Sequence, residues 1–220
     1  METATLLVAQ AFQDFYFKGC YQLDDDVEVV QSNLFETPAK LQYYEKPGIM
    51  DEEIFHLIRD EILALDIHPN DLVVLAPTHE TVRALEYRFR QVAHERTTHA
   101  GETEEEYKNL LKKYRLEDVE NPENNREFKR DIENIRRGRK LHFWPNAGTV
   151  KLSTIHSFKG WEAHTLVLII CNTYSIEEQG SVNELIYAAL TRARKNLVVV
   201  DSTGLYREFF GRFIGKGNSA

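Results

Sequence analysis

Large apolar residues crowd Leu6-Leu7-Val8-Ala9-Gln10-Ala11-Phe12-Gln13-Asp14-Phe15-Tyr16-Phe17 at the spacing of a buried helix, and Gly19 is placed to stop it. After the acidic link Asp24-Asp25-Asp26, the runs Val27 to Val30 and Leu41 to Tyr44 predict short strands. Asp51 to Leu65 carries Ile54, Leu57, Ile58, Ile62 and Leu63 on one face, the mark of an amphipathic helix. Pro69-Asn70 turns the chain into Leu72-Val73-Val74-Leu75-Ala76, an unbroken apolar run of strand length, and a helix over Thr78 to Val92 follows Pro77. The same kind of run returns at Thr149 to Ile155, Thr165 to Cys171 and Leu197 to Asp201. Strands that do not alternate apolar with polar residues are buried on both faces. Between the last two, Ser181-Val182-Asn183-Glu184 has the form of a capping box and opens a helix expected to reach about Arg194. Strands and helices alternating in this way predict an α/β fold, a parallel sheet with helices on both faces.

One segment breaks the rhythm. From Glu102 to Lys140, 22 of 39 residues are charged, 11 of each sign, with Asn121-Pro122-Glu123-Asn124-Asn125 in the middle. This predicts an inserted helical pair. Thr103-Glu104-Glu105-Glu106 caps its first helix, and Tyr107, Leu110, Leu111 and Tyr114 give that helix a narrow apolar stripe. The second helix ends in Arg136-Arg137-Gly138-Arg139-Lys140, which suits the dipole of its own C-terminus and also offers charge to a nucleic-acid backbone.

The chain has 220 residues, 42% hydrophobic and 28% charged, enough for one compact domain with an insertion to bury about 70% of its unfolded surface without a disulfide or metal. No apolar run approaches the roughly 20 residues that span a bilayer. The opening Met1-Glu2-Thr3-Ala4-Thr5 is acidic where a secretory signal is basic, so a cytoplasmic location and no membrane partner are expected. Cys20 and Cys171 lack metal-ligand spacing and read as buried small hydrophobes. The net charge of -8 is uneven: residues 1 to 70 hold 14 acids and 4 bases, leaving 21 acids and 23 bases for the remainder. A phosphate ligand belongs to the later part.

Several chemistries are missing from this sequence. No glycine is followed five residues later by Gly-Lys-Ser or Gly-Lys-Thr, and Gly211-Arg212-Phe213-Ile214-Gly215-Lys216-Gly217 has the wrong spacing for a phosphate loop. Val198-Val199-Val200-Asp201 resembles a magnesium-binding strand end, but without that loop Asp201 reads as a strand terminus. There is no Gly-x-Ser-x-Gly elbow and no carboxylate pair suited to glycoside chemistry.

Two segments remain. Val150-Lys151-Leu152-Ser153-Thr154-Ile155-His156-Ser157-Phe158-Lys159-Gly160-Trp161-Glu162, followed by an apolar strand, resembles motif V of the UvrD-like superfamily 1 DNA helicases. Leu185-Ile186-Tyr187-Ala188-Ala189-Leu190-Thr191-Arg192-Ala193-Arg194-Lys195-Asn196-Leu197 is similar to their motif VI. The strand and turn Asp71-Leu72-Val73-Val74-Leu75-Ala76-Pro77-Thr78-His79 is similar to the part that opens their second RecA-like domain, although Pro77 stands where the family has a basic residue. The resemblance implies a RecA-like domain over 27 to 205, with 102 to 140 where larger members insert a separate domain, a preceding helix and acidic link over 1 to 26, and a final helix and tail over 206 to 220.

The resemblance also implies roles. Such motors close two RecA-like domains on ATP and Mg2+, which are bound mainly by an N-terminal domain carrying the phosphate loop, supplied in cis or in trans. Arg192 matches the family arginine that reaches the γ-phosphate, where a guanidinium neutralises charge on the transferred group. Glu162 matches the carboxylate that takes the nucleotide sugar, and Lys159 and Gly160 of the same turn are expected in the nucleotide site, the glycine permitting the tight backbone and the lysine meeting a phosphate or an acidic neighbour. Thr154 and His156 match residues facing single-stranded DNA, and Thr78 and His79 occupy a turn the family uses for strand contacts. On this reading the chain is the C-terminal motor domain of an ATP-dependent helicase and is inactive alone. The alternative is a free-standing, non-catalytic module that binds single-stranded nucleic acid or regulates a partner ATPase.

The remaining aromatic residues read as packing. Trp161 is expected in the core rather than stacked on a base, Tyr187 and Leu190 face the sheet, and Phe209, Phe210 and Phe213 pack the last helix.

Overall fold

The computed structural model describes the backbone of residues 3–17, 39–48, 51–144, 146–171 and 179–213, with side chains throughout except at 3, 4, 62–65, 179–181 and 213. Val27 to Val30, Asp24 to Asp26 and Cys20 lie outside the described residues, as do the side chains of Ile62, Leu63 and Phe213.

The strands are β1 (Leu41–Glu45), β2 (Leu72–Ala76), β3 (Thr97–His99), β4 (Val150–Thr154), β5 (Ala163–Ile170) and β6 (Ala193–Asp201). They form one six-stranded sheet in the order β1-β6-β5-β2-β4-β3, and every neighbouring pair is parallel. The expected α/β parallel sheet is present. The helices are α1 (Thr3–Phe17), α2 (Asp51–Leu65), α3 (His79–Gln91), α4 (Glu104–Tyr114), α5 (Arg126–Leu141), α6 (Gln179–Leu190) and α7 (Arg207–Phe213).

The unbroken apolar runs explain the two-sided core. Along β2, Val73 and Leu75 enter one core while Leu72, Val74 and Ala76 enter the other, as the two-residue period of a strand requires. The first core lies under α1, α6 and α7, where Phe12, Ile186, Phe209 and Phe210 are buried. The second lies under α2 and α3, closed by Ile54, Phe55, Ile58, Leu85 and Phe89. Both faces therefore carry helices. Phe12 is fully buried at the centre of an aromatic group, with ring centroids 4.5 Å from Tyr16, 5.0 Å from Phe209 and 6.0 Å from Phe210. Phe12→Ala removes that keystone and is expected to cost about 3–5 kcal/mol in denaturant unfolding; a loss below about 1 kcal/mol would mean that α1 is not integral to the core.

Four boundaries around β5, α6 and β6 differ from the sequence expectation by two residues or more. β5 and β6 begin at Ala163 and Ala193, earlier than the apolar runs, because Ala163 already pairs with Ala193 across the ladder. That early pairing forces α6 to end at Leu190 instead of near Arg194. α6 also begins at Gln179, so Ser181 falls within the helical span rather than at its start. β3 was not anticipated. Its three residues, Thr97 to His99, carry no apolar run and, among the described residues, pair with β4 alone at the sheet edge.

The insertion is a helical pair, as expected. Thr103 caps α4 in a reciprocal box with Glu106, and the stripe of Tyr107, Leu110, Leu111 and Tyr114 packs on Phe128 and Ile132 of α5 in a small core of its own.

Candidate functional site

Because all six strands run the same way, their carboxyl ends share one edge and their amino ends the other. The candidate residues divide between these edges.

At the carboxyl edge, β2 and β4 are neighbours, with Ala76 opposite Thr154 and the Ile155 amide donating to the Ala76 carbonyl at 3.1 Å. The segments carrying Thr78 and His79 and carrying Thr154 and His156 are thereby brought together. Thr78 is the N-cap of α3, its hydroxyl accepting from the Thr81 amide at 3.3 Å. Thr154 is buried, and its hydroxyl accepts from the Ser157 amide at 3.2 Å, tightening the turn from which His156 projects into solvent. β2 pairs with β5, and the helices that follow them, α3 and α6, cover opposite faces of the sheet, the kind of position where ligands of open α/β sheets gather. Thr81 Oγ1 and Cys171 Sγ meet there at 3.7 Å. Cys171 is half-buried rather than a core residue, since it stands just past the end of β5.

His79 sits apart in character. Its Nδ1 is buried without a protein hydrogen-bond partner among the described residues, and a Cβ on Gly101 would come within 2.7 Å of that atom. Glycine at 101 leaves room for the imidazole. Burial, reinforced by the positive charge of Arg136, pulls the His79 pKa down to about 4. At neutral pH it is an uncharged imidazole, able to hydrogen-bond a phosphate but not to neutralise it.

At the amino edge, Glu162 and Arg192 immediately precede the paired strands β5 and β6, and the Ala163 amide donates to the Arg192 carbonyl at 2.9 Å. Arg192 is half-buried; its Nε donates to the Ala188 carbonyl at 3.2 Å, and its own amide to the Ala189 carbonyl at 2.9 Å. The guanidinium thus springs from a turn clamped to both α6 and β5. Glu162 is exposed, and its nearest cation is Arg194, with Nε 3.7 Å from the carboxylate. Lys159 and Gly160 lie on the connection between the two edges, both exposed. Gly160 has φ of +94°, a conformation that disfavours any side chain. Ile155 and Phe158 bury this connection against the α1 and α6 core. Trp161 is 38% exposed and does not join that core, contrary to expectation, because the left-handed turn at Gly160 directs the chain back toward the sheet only at Ala163.

Asp201 has a structural task. It accepts from Tyr43 Oη at 2.9 Å, from the Thr203 amide at 2.8 Å and from the Gly204 amide at 3.0 Å, which fixes the exit from β6 as the strand-terminus reading expects.

An ionic group without a signature in the sequence ties the insertion to α3. Glu102, fully buried, receives Arg83 of α3 and Arg136 of α5, the latter through Nε at 2.8 Å and Nη2 at 3.1 Å. Arg136 also reaches Glu123 at 2.9 Å, and the Arg83 guanidinium lies 3.8 Å from the Tyr107 ring centre. Arg83 of α3, Arg136 of α5 and Glu102 of the loop before α4 form its centre, and no local pattern announces it.

No family model matches the chain, and no curated protein matches it. Among solved structures, the crystal structure of the C-terminal domain of a possible DNA helicase from Lactobacillus plantarum WCFS1 is similar over 76% of this chain and 74% of its own, with a TM-score of 0.42 and 13% sequence identity.

Proposed function

We propose that this chain is the second RecA-like domain of a UvrD-like superfamily 1 DNA helicase. It works with an N-terminal RecA-like domain whose phosphate loop holds ATP and Mg2+. What supports the reading is the division of the two motif segments between opposite edges of one sheet: Glu162 and Arg192 just ahead of adjacent strands at the amino edge, and Thr78, His79, Thr154 and His156 at the carboxyl edge. A nucleotide held against the first edge and a single strand of DNA lying along the second are both served by one rigid layer. ATP draws the two domains together, Arg192 stabilises the charge on the transferred phosphoryl group, and Glu162 takes the sugar hydroxyls. Lys159 and Gly160 shape the turn between the edges. His156 is presented to phosphate oxygens by a turn that Thr154 holds from beneath, and Thr78 and His79 extend the contact.

Binding of a labelled single-stranded oligonucleotide to the chain tests this. Affinity should fall as salt rises, and His156→Ala should weaken it by about 0.5–1.5 kcal/mol, roughly two- to twelvefold. Equal affinity in parent and variant would remove His156 from the interface. The chain alone should hydrolyse no ATP, with turnover appearing once the phosphate-loop domain is supplied. Turnover by the chain alone would overturn the assignment.

A further inference from the structure

The outer face of α5 separates its cations into two sets. Arg130, Arg136 and Arg139 are spent on carboxylates, Arg130 on the adjacent Asp131 and the other two on Glu102, Glu123 and Glu106. Arg126, Lys129, Arg137 and Lys140 are exposed, recur at helical spacing along one side, and make no ion pair among the described residues. Only Glu133 interrupts that stripe, which runs for about 21 Å at 1.5 Å per residue. The helix dipole accounts for a cation in the last turn, but not for cations spread along the whole length.

The stripe leads to an exposed aromatic ring. Leu141 is 79% exposed and Trp144 63%, while Phe143 between them is buried and meets Phe158 edge-on with ring centres 6.1 Å apart. The Phe143 amide donates to the Lys140 carbonyl at 3.3 Å, and His142 is bonded back to Gly138. Trp144 is therefore not a loose side chain on a frayed end: its neighbour is pinned into the turn that carries His156, Lys159 and Trp161. A large ring held in solvent beside unpaired cations has the makings of a stacking platform, since a base covers the ring while its phosphates meet the charges.

We propose that the insertion extends the strand-binding surface: a single-stranded polynucleotide runs from the His156 turn onto α5, with one base stacked on Trp144 and its phosphates along Lys140 and Arg137. This rests on the reading that the carboxyl edge handles single-stranded nucleic acid. Charge complementarity selects a polyanion, and the exposed indole selects one with unpaired bases.

The chain contains two tryptophans, Trp144 and Trp161, so Trp161→Phe leaves Trp144 as the only indole. Titrating that variant with an oligothymidylate of roughly 16 nucleotides should quench its emission saturably. An abasic phosphodiester strand of the same length should bind without quenching. Trp144→Ala should weaken oligothymidylate binding about tenfold or more, and Trp144→Phe should restore most of that loss. Because the side chain is exposed, the alanine variant should melt as the parent does. If His156→Ala weakens binding but Trp144→Ala does not, this inference fails and the helicase reading stands. Unquenched emission on a bound oligothymidylate, or quenching by free thymidine nucleotide at the same concentration as by the strand, likewise overturns it. If the parent binds no oligonucleotide, both fall together.

Discussion

Arg192→Ala in the assembled two-domain motor is expected to lower ATP turnover by about 10³- to 10⁵-fold, with affinity for single-stranded DNA nearly unchanged. The size follows from the role proposed for the guanidinium: on that reading it meets charge that develops only as the phosphoryl group transfers between the closed domains. The geometry also explains why its neighbour is no substitute. Arg192 is anchored through Nε to the Ala188 carbonyl, and its backbone is held by Ala163. Arg194 is exposed and lies against Glu162 at 3.7 Å, an ion pair of the sort that contributes little and is readily exchanged. Arg192→Lys should also be impaired, since an ammonium loses both the planar fork and the Nε anchor. Steady-state ATPase with and without DNA measures the effect. Near-normal turnover in Arg192→Ala would refute the finger assignment, whereas loss in Arg194→Ala alone would transfer the role.

The second large effect is on stability. Glu102→Ala leaves the guanidinium groups of Arg83 and Arg136 buried or nearly so without their shared carboxylate. Breaking a buried pair from one side typically costs about 3–5 kcal/mol, which for a chain of this size lowers Tm by roughly 6–20 °C. The pH dependence is specific. Burial alone would raise the Glu102 carboxyl, but the Arg136 hydrogen bonds and charge, a backbone hydrogen bond and the charge of Arg83 outweigh it and bring the pKa to about 2 from 4.5. The folded state thus holds the carboxylate more tightly than the unfolded state does. Its stabilisation is fully present above pH 4.5 and is lost as pH falls toward 2. Melts of parent and variant should converge across that window. A constant difference down to pH 2 would mean that Glu102 acts by packing rather than by charge. His79 adds an earlier loss between pH 6.5 and 4, because its imidazole resists protonation in the fold.

The legible parts of the fold were those where one physical signal dominated. β2 carries five apolar residues in a row, and α2 begins and ends where its amphipathic stripe does. β3 was invisible because a three-residue polar edge strand is defined by its partner β4, not by its own side chains. The early start of β6 was hidden for a similar reason: Ala193 pairs with Ala163 through backbone groups that any residue possesses, and a register irregularity separates that pair from the apolar ladder that resumes at Asn196. At the candidate site, the resemblance to the helicase motifs is what singled out Glu162, Arg192, Thr154 and His156. It did not reveal that Thr154 is buried beneath its turn, that Glu162 faces Arg194, or that Trp161 stands partly in solvent. Those depend on how separate strands align. The Glu102 cluster joins positions 83, 102 and 136, and only the packing of α3 against the inserted hairpin brings them within reach.

The twin cores beneath and above the sheet have a mechanical consequence. Val167 and Ile169 of β5 and Val198 and Val200 of β6 fill one side, Leu166, Leu168, Leu197 and Val199 the other, and all are buried. Interiors packed at crystal-like density are hardly compressible. A displacement imposed where Arg192 enters β6 is therefore not absorbed along the strand but delivered at its far end, beside Asp201. The sheet behaves as a strut about 25 Å long at 3.3 Å per residue, and its stiffness, rather than any chain of polar contacts, makes events at one rim felt at the other.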